Sequence, residues 1–152
     1  MKSLRFAVCQ TGVNSTLQIY SVYLSPNVTS IAEPLYVLPA SNNAFVRLTI
    51  AHDLRRAAEQ ELLKFSAVIS SELLYKEAED AFAALETLLG IDKWFFGASK
   101  PSLFDASVFA YTHLLLDDKM NWVETQLLES LSRHRSLVKH RDRIANSYYV
   151  GV

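Results

Sequence analysis

One short motif constrains the fold of this chain most strongly, the stretch Ser102-Leu103-Phe104-Asp105 that directly follows Pro101. Serine three residues before a carboxylate is a capping-box arrangement. The hydroxyl accepts from the backbone N–H of the third helical residue, and the carboxylate accepts from the N–H of the serine. A carboxylate in the first turn also favours the helix dipole. The motif predicts a helix that runs to about Leu116, and its apolar composition predicts the buried centre of a bundle.

Ser102 and Asp105 are therefore predicted to form a structural helix cap. The alternative makes Asp105 a catalytic acid or a metal ligand, but no second carboxylate, cysteine or histidine lies at a fitting spacing. As a cap alone, Asp105→Ala is expected to cost about 1–2 kcal/mol. We predict no catalytic, cofactor-binding or metal-binding residue and no cofactor.

Composition excludes several classes of protein. A net charge of −1 argues against a general nucleic-acid binder. The single cysteine, Cys9, excludes an internal disulfide and favours a reducing compartment. The best apolar stretches are about half the roughly 20 residues that a membrane span requires. Half of the residues are hydrophobic, which fits either a large core or a buried partner surface.

The first forty residues differ from the rest of the chain. Residues 17–24 alternate and are rich in β-formers, and Pro26, Pro34 and Pro39 forbid one continuous helix. We therefore predict an extended N-terminal arm over residues 1–40, followed by a helical domain over residues 41–152.

Helical periodicity begins at Ser41. A first helix places apolar residues from Phe45 to Leu62 at helical spacing, and a second covers about Glu72–Leu89, where Gly90 fits the residue just past its end. The capped helix follows, and a last helix or helix pair runs from about Trp122 to Tyr149. The fold class predicted from these elements is mainly α.

The last helical region contains the basic tract 133–143. It is typical of a solvated helix face, but an anionic membrane surface or an acidic partner would also fit it. The acidic face of the second helix offers it another partner within the chain. The candidate interface residues here and nearby, as aromatic anchors or exposed cations, are Trp122, Arg135, Lys139, Arg141, Tyr148 and Tyr149.

The stretch Trp94-Phe95-Phe96-Gly97, followed by Pro101-Ser102-Leu103-Phe104-Asp105-Ala106 and an apolar helix, resembles the segment before the central capped helix of glutathione-transferase C-terminal domains. In that family the serine or threonine and the aspartate form this same cap. The downstream stretch 136–144 also resembles a family helix, with Ser136 where the family has asparagine. The resemblance covers about Ser41–Tyr149 and implies a bundle of five or six helices.

Within that superfamily the chain looks closest to the metaxins. Pro39-Ala40-Ser41, Val46-Arg47-Leu48 and Leu54-Arg55-Arg56-Ala57-Ala58-Glu59 are similar to the opening helix of the fungal metaxin-like subunits of the mitochondrial sorting and assembly machinery. The thioredoxin-like half that usually precedes the helical half in that family does not fit into forty residues. The resemblance therefore implies a fragment or a shortened form.

The metaxin resemblance implies a non-enzymatic receptor or scaffold on the cytosolic face of the mitochondrial outer membrane. Its partners would be a β-barrel insertase, a sister metaxin-like subunit and β-barrel precursors, with no nucleic acid and at most peripheral membrane contact. Two alternatives remain open. The chain is the helical half of a glutathione transferase, or it is a transferase-like interaction module of a translation or synthetase complex in the cytoplasm.

Overall fold

The computed structural model describes residues 16–64 and 67–149, and within them it contains no β-strand. The α-helices are α1 (residues 16–23), α2 (Ala44–Leu62), α3 (Ser71–Leu89), α4 (Leu103–Leu115), α5 (Gln126–Arg133) and α6 (Arg135–Tyr148). Shorter turns of 3-10 helix cover Pro26–Val28, Phe95–Gly97 and Asp118–Met120, and a π-helix covers Glu33–Val37. The mainly α fold class is confirmed.

The prediction that the arm is extended is wrong for residues 16–23, because they form helix α1. Leu17 and Ser21 lie one helical turn apart and are both buried, and Val22 is buried beside them. The alternating pattern therefore also supplies one helical face, and burial of that face overrides the β-propensity of the two tyrosines, Ile19 and Val22. Residues 1–15 of the predicted arm lie outside the described residues.

The prolines of the arm begin short helical turns. Pro26 and Pro34 each occupy one of the first two positions of their turn, where the missing N–H costs nothing. The Ser25 hydroxyl caps the first of these turns by accepting from the backbone N–H of Asn27 at 3.1 Å. Proline spacing thus excludes one long helix here, as predicted, but permits several short ones.

The chain divides into two compact units. The first contains Met1–Ala78 and Met120–Thr125, and the second contains Glu79–Lys119 and Gln126–Val152. The predicted domain boundary between residues 40 and 41 stays a prediction.

The first unit is organised around a small apolar cluster and one buried amide. Val22, Ile31 and Ala32 form the cluster, and Trp122 packs against it. Asn27 is 1% exposed, and its side-chain oxygen accepts from the backbone N–H groups of Val123 and Glu124, both at 2.8 Å. This amide joins two segments of the first unit that lie almost a hundred residues apart in the sequence.

Helix α2 buries only part of its apolar stripe. Asn43 caps its start by accepting from the N–H of Phe45 at 2.9 Å. Ala58 and Leu62, near its end, are buried, whereas Phe45 is 81% and Leu48 is 68% exposed. The helical spacing predicted the helix correctly, but the first two turns of its apolar stripe have no cover in the described residues.

The second unit packs α4, α5 and α6 against one another. Its largest wholly buried side chains are Phe82, Phe95, Leu131 and Leu137. Helix α3 ends at Gly90, whose φ of +56° is the left-handed conformation that glycine adopts without strain. None of the helices within the described residues combines the length and apolar character that crossing a bilayer requires.

We expect Asn27→Ala to lower the free energy of unfolding by about 1–3 kcal/mol, because two partly buried backbone N–H groups lose their acceptor. Urea denaturation followed by circular dichroism measures this change. Asn42→Ala is the matched control, since Asn42 is exposed on the loop before α2. Equal stability of the two variants would contradict this account of the first unit.

Candidate functional site

Ser102 and Asp105 form a reciprocal cap at the start of α4. The Ser102 hydroxyl oxygen accepts from the Asp105 backbone N–H at 3.4 Å, and one Asp105 oxygen, Oδ2, accepts from the Ser102 backbone N–H at 2.8 Å. The Ser102 hydroxyl also donates to Oδ2 at 2.6 Å. Both arms of the capping box are thus present, and Oδ2 is fully used by the helix end.

The second oxygen of Asp105 joins two other segments to this helix end. Oδ1 accepts from the Phe95 backbone N–H at 3.0 Å and from Nε2 of His140 at 2.9 Å. Asp105 and His140 are both 0% exposed. One buried carboxylate therefore holds the Phe95 turn, the first turn of α4 and the middle of α6 together.

Hydrogen bonding decides the charge of Asp105. Burial raises the pKa of its carboxyl, but the hydrogen bonds from Ser102, Phe95 and His140 together outweigh burial and hold the pKa below its ordinary value. The carboxylate is therefore ionised at neutral pH and accepts from four donors, which is its full capacity.

His140 is the neutral partner of this pair. Burial lowers its pKa, and although Asp105 acts in the opposite direction, the net pKa stays below the ordinary value of histidine. Its ring meets the rings of Trp94 and Phe95 edge-on, with centroids 5.9 and 5.2 Å away. The bond to Asp105 assigns the proton to Nε2, and Nδ1 lies buried with no hydrogen-bond partner.

The arrangement differs from a serine-protease type of triad. There the histidine lies between serine and aspartate and takes the proton of the serine. Here Ser102 and His140 each bind the aspartate, on different oxygens. No group of three or more His, Cys, Asp or Glu side chains suited to a metal ion occurs in the described part of the chain.

The turn before α4 points the Phe95 ring into the core and the adjacent Phe96 ring towards the surface. Phe95 is wholly buried, whereas Phe96 is 51% exposed and adopts φ +63°, a left-handed conformation that a bulky residue adopts only at a cost of about 1–2 kcal/mol. The Phe96 ring packs against Phe104, with centroids 5.2 Å apart. This strained bend lets Phe95 reach the Asp105–His140 pair while its neighbour stays at the surface.

Two carboxylates of α3 hold the junction of α5 and α6. Glu79 accepts from the Ser130 hydroxyl and pairs with Arg133 at 2.9 Å. Glu86 accepts from Nδ1 of His134 at 2.8 Å and from the backbone N–H of Ser136 at 3.0 Å. The second bond satisfies one of the free N–H groups at the start of α6, where His134 provides no side-chain cap.

These bonds lower the pKa of both carboxyls. The hydrogen bond from Ser130 contributes most for Glu79, and the hydrogen bond from His134 contributes most for Glu86. Part of the acidic face of α3 therefore pairs with the beginning of the basic tract inside the second unit. The sequence had left open whether the basic tract pairs with this acidic face or with a separate partner.

The candidate interface residues fall into two groups. Arg135 and Lys139 are exposed, and Tyr148 and Tyr149 are 65% and 53% exposed. Arg141 is partly buried and is engaged by His113 at 3.2 Å and by Asp142 at 2.8 Å. Trp122 is half-buried on the apolar cluster of the first unit.

Sequence reasoning missed several residues that this site depends on. His140 lies 35 residues after Asp105, and the Phe95 N–H acts through the backbone, so neither gives a local pattern. Glu86 was placed only on an acidic face. A signal for His140 was available in its helical spacing, because it lies three residues after Leu137 and four before Ile144, on the face of α6 that is buried.

Residues 78–144 match the family model described as the C-terminal domain of glutathione S-transferase. No curated protein matches the chain significantly. The matched residues include α4, α5 and most of α6, together with Trp94, Ser102, Asp105 and His140. The match supports a helical fold like that of glutathione-transferase C-terminal domains in this part of the chain, as the motifs around Ser102 predicted.

We expect Asp105→Ala to lower the free energy of unfolding by about 3–5 kcal/mol, because donors in three segments lose their acceptor at once, and those of Phe95 and His140 are buried. Ser102→Ala, which removes only part of the cap, should cost about 1 kcal/mol. Urea denaturation measures both, with Asp80→Ala on the exposed side of α3 as the control. If Asp105→Ala costs no more than Ser102→Ala, the carboxylate acts only as a local cap.

The lowered pKa of His140 also predicts how stability depends on pH. The unfolded chain takes up the proton with a pKa of about 6.5, whereas the folded chain resists it, so the free energy of unfolding falls as pH decreases from about 7 to about 5. His140→Gln keeps a donor for Asp105 but does not titrate. We expect a smaller slope for this variant in denaturation curves collected across that range, and an unchanged slope would contradict the assignment.

Proposed function

We propose that this chain is a non-enzymatic receptor or scaffold subunit of the mitochondrial outer-membrane sorting and assembly machinery, acting on the cytosolic face. One observation supports a binding role above all. The buried polar cluster around Asp105 holds helices together and does not face solvent. Asp105 is 0% exposed, and its four hydrogen bonds all come from the chain itself.

The choice of this machinery depends on α2 and the residues before it. Pro39-Ala40-Ser41, Val46-Arg47-Leu48 and Leu54–Glu59 are similar to the opening helix of fungal metaxin-like subunits. Much of this stretch is exposed, with Val46 at 43% and Leu48 at 68%. A stretch that resembles the family and lies at the surface suits contact with other subunits.

The proposed mechanism is binding by complementary surfaces. Tyr148 and Tyr149 are aromatic anchors of the kind that contributes most energy to interfaces. Arg135 and Lys139 lie one turn apart on α6 and add positive charge for an acidic partner surface. The partners would be the β-barrel insertase and a sister metaxin-like subunit, with β-barrel precursors bound during insertion and release.

The second candidate is an enzyme, the helical half of a glutathione transferase. The match of residues 78–144 favours it as much as it favours a transferase-like scaffold. This candidate requires a thioredoxin-like half with a serine or tyrosine beside the thiol of glutathione. A transferase-like module of a synthetase complex is the third candidate, and partner recovery separates it from the first.

The proposal predicts that the tagged chain, purified from mitochondria, brings down an outer-membrane β-barrel insertase. Arg135→Ala combined with Lys139→Ala should reduce the recovered insertase about tenfold, since two interfacial cations are lost. Lys76→Ala combined with Lys100→Ala is the control with the same loss of exposed charge. Quantitative mass spectrometry of the eluates measures the difference.

Two results would overturn the proposal. Recovery of cytosolic synthetases without an insertase would assign the chain to a translation complex. Turnover in a glutathione-conjugation assay with the purified protein would make it an enzyme, whatever its partners.

A further inference from the structure

A row of cations runs along one side of α6. Arg135, Lys139 and Arg143 follow one another at spacings of four residues, which places them on one face of the helix. Arg135 and Lys139 are exposed, and Arg143 is partly buried. We call these three residues the cationic row. Residues 133–149 contain five lysines and arginines but only one carboxylate, Asp142, so the local charge is positive.

The carboxylates around the cationic row are engaged elsewhere. Asp142 pairs with Arg141 at 2.8 Å, and Glu86 accepts from the His134 ring and from the Ser136 backbone N–H. Within the described residues, none of the three cations of the row forms an ion pair with a carboxylate. The row therefore carries positive charge that the second unit does not neutralise.

Lys93 extends the row beyond Arg143. Nη1 of Arg143 donates to the Lys93 carbonyl oxygen at 2.5 Å. The Lys93 ammonium and the Arg143 guanidinium lie 5.5 and 5.6 Å from the centre of the Trp94 ring. Because a guanidinium has five N–H donors, most of those on Arg143 stay available to a partner. The Trp94 ring thus holds two cations at one end of the row.

The cationic row costs α6 local stability. Like charges four residues apart on a helix destabilise it. Arg135 also occupies the first position of α6, at the positive end of the helix dipole, and the first turn contains no acidic residue to offset it. Local helix stability therefore does not account for the row, whereas a bound anionic partner would relieve both costs.

We propose that the cationic row binds an extended acidic segment of a partner chain, with a carboxylate at every second residue. Each step of the row advances about 6 Å along the helix axis. Alternate side chains of an extended chain lie about 6.6 Å apart on one side of it. Successive carboxylates can therefore meet Arg135, Lys139 and Arg143 in turn. This inference rests on the function proposed above, because it names the chemistry of the partner that the Arg135 and Lys139 surface binds.

An anionic lipid surface or a nucleic acid fits the row less well. Within the described residues 135–143 no large apolar side chain is exposed, so none would enter the acyl boundary of a membrane. Single-stranded nucleic acid binds through exposed rings on which its bases stack, but Trp94, the ring in contact with the row, is 6% exposed. The net charge of the chain, −1, also gives a phosphate backbone little general attraction.

The test is fluorescence anisotropy of the full chain with a labelled peptide in which aspartate and serine alternate. A second labelled peptide has the same composition but groups its aspartates at one end. We expect the alternating peptide to bind about threefold or more tightly, because it places its carboxylates at the spacing of the row. Arg135→Gln combined with Lys139→Gln should weaken binding of the alternating peptide about tenfold, since two of the row's cations are lost.

Lys76→Gln combined with Lys100→Gln is the matched control, because it removes the same charge from exposed residues outside the row. It should bind the alternating peptide as the unchanged chain does, and circular dichroism checks that every variant is folded. Equal affinity for the two peptides, or equal loss in the control, would overturn the proposal. So would tighter binding to a labelled single-stranded oligonucleotide or to phosphatidylserine vesicles than to the alternating peptide.

Peptide binding and insertase recovery can fail independently. If the purified chain binds neither peptide but still recovers the insertase from mitochondria, the inference is wrong and the function proposed above stands. If it binds the alternating peptide but recovers no insertase, that function is wrong and the row binds the acidic segment of a different partner.

Discussion

A single carboxylate, that of Asp105, fixes the arrangement of the second unit. Its two oxygens accept from the start of α4, from the turn before it and from the middle of α6. An ionised group in an apolar interior is costly unless every acceptor site is used, so the carboxylate requires all four donors. The donors in turn require the carboxylate as their acceptor. Loss of any one segment would leave the other two bonded to a poorly compensated charge. The three segments therefore pack cooperatively around Asp105.

The parts of this structure that were predictable are those with a local cause. Ser102 and Asp105 form the cap through bonds spanning three residues, and Gly90 ends α3 through its own backbone freedom. The conformation of residues 17–24 was not predictable in this way, because β-propensity yields to burial of Leu17 and Ser21 on one helical face. The role of His140 was also hidden. Its partner lies 35 residues away, and no periodic pattern encodes a contact of that separation.

Helix α2 illustrates a different limit. A stripe of apolar residues predicts that a helix forms and which side of it avoids water, but it does not identify what covers that side. Ala58 and Leu62 are covered within the chain, whereas Phe45 and Leu48 on the earlier turns are not. Half of the residues being hydrophobic left a large core and a partner surface as equal explanations. The exposure of Phe45 and Leu48 shows that at least part of that hydrophobicity is at the surface.

Helix α6 takes its N-terminal cap from a distant residue. His134 gives no side-chain cap, and the Glu86 carboxylate, fifty residues earlier, accepts from Ser136 instead. A cap encoded next to a helix can form while the rest of the chain is still disordered, but this one requires closure of a long loop first. The first turn of α6 is therefore completed only after α3 has come into place. The stability of the first turn of α6 is thus linked to the position of α3, which lies fifty residues earlier in the sequence.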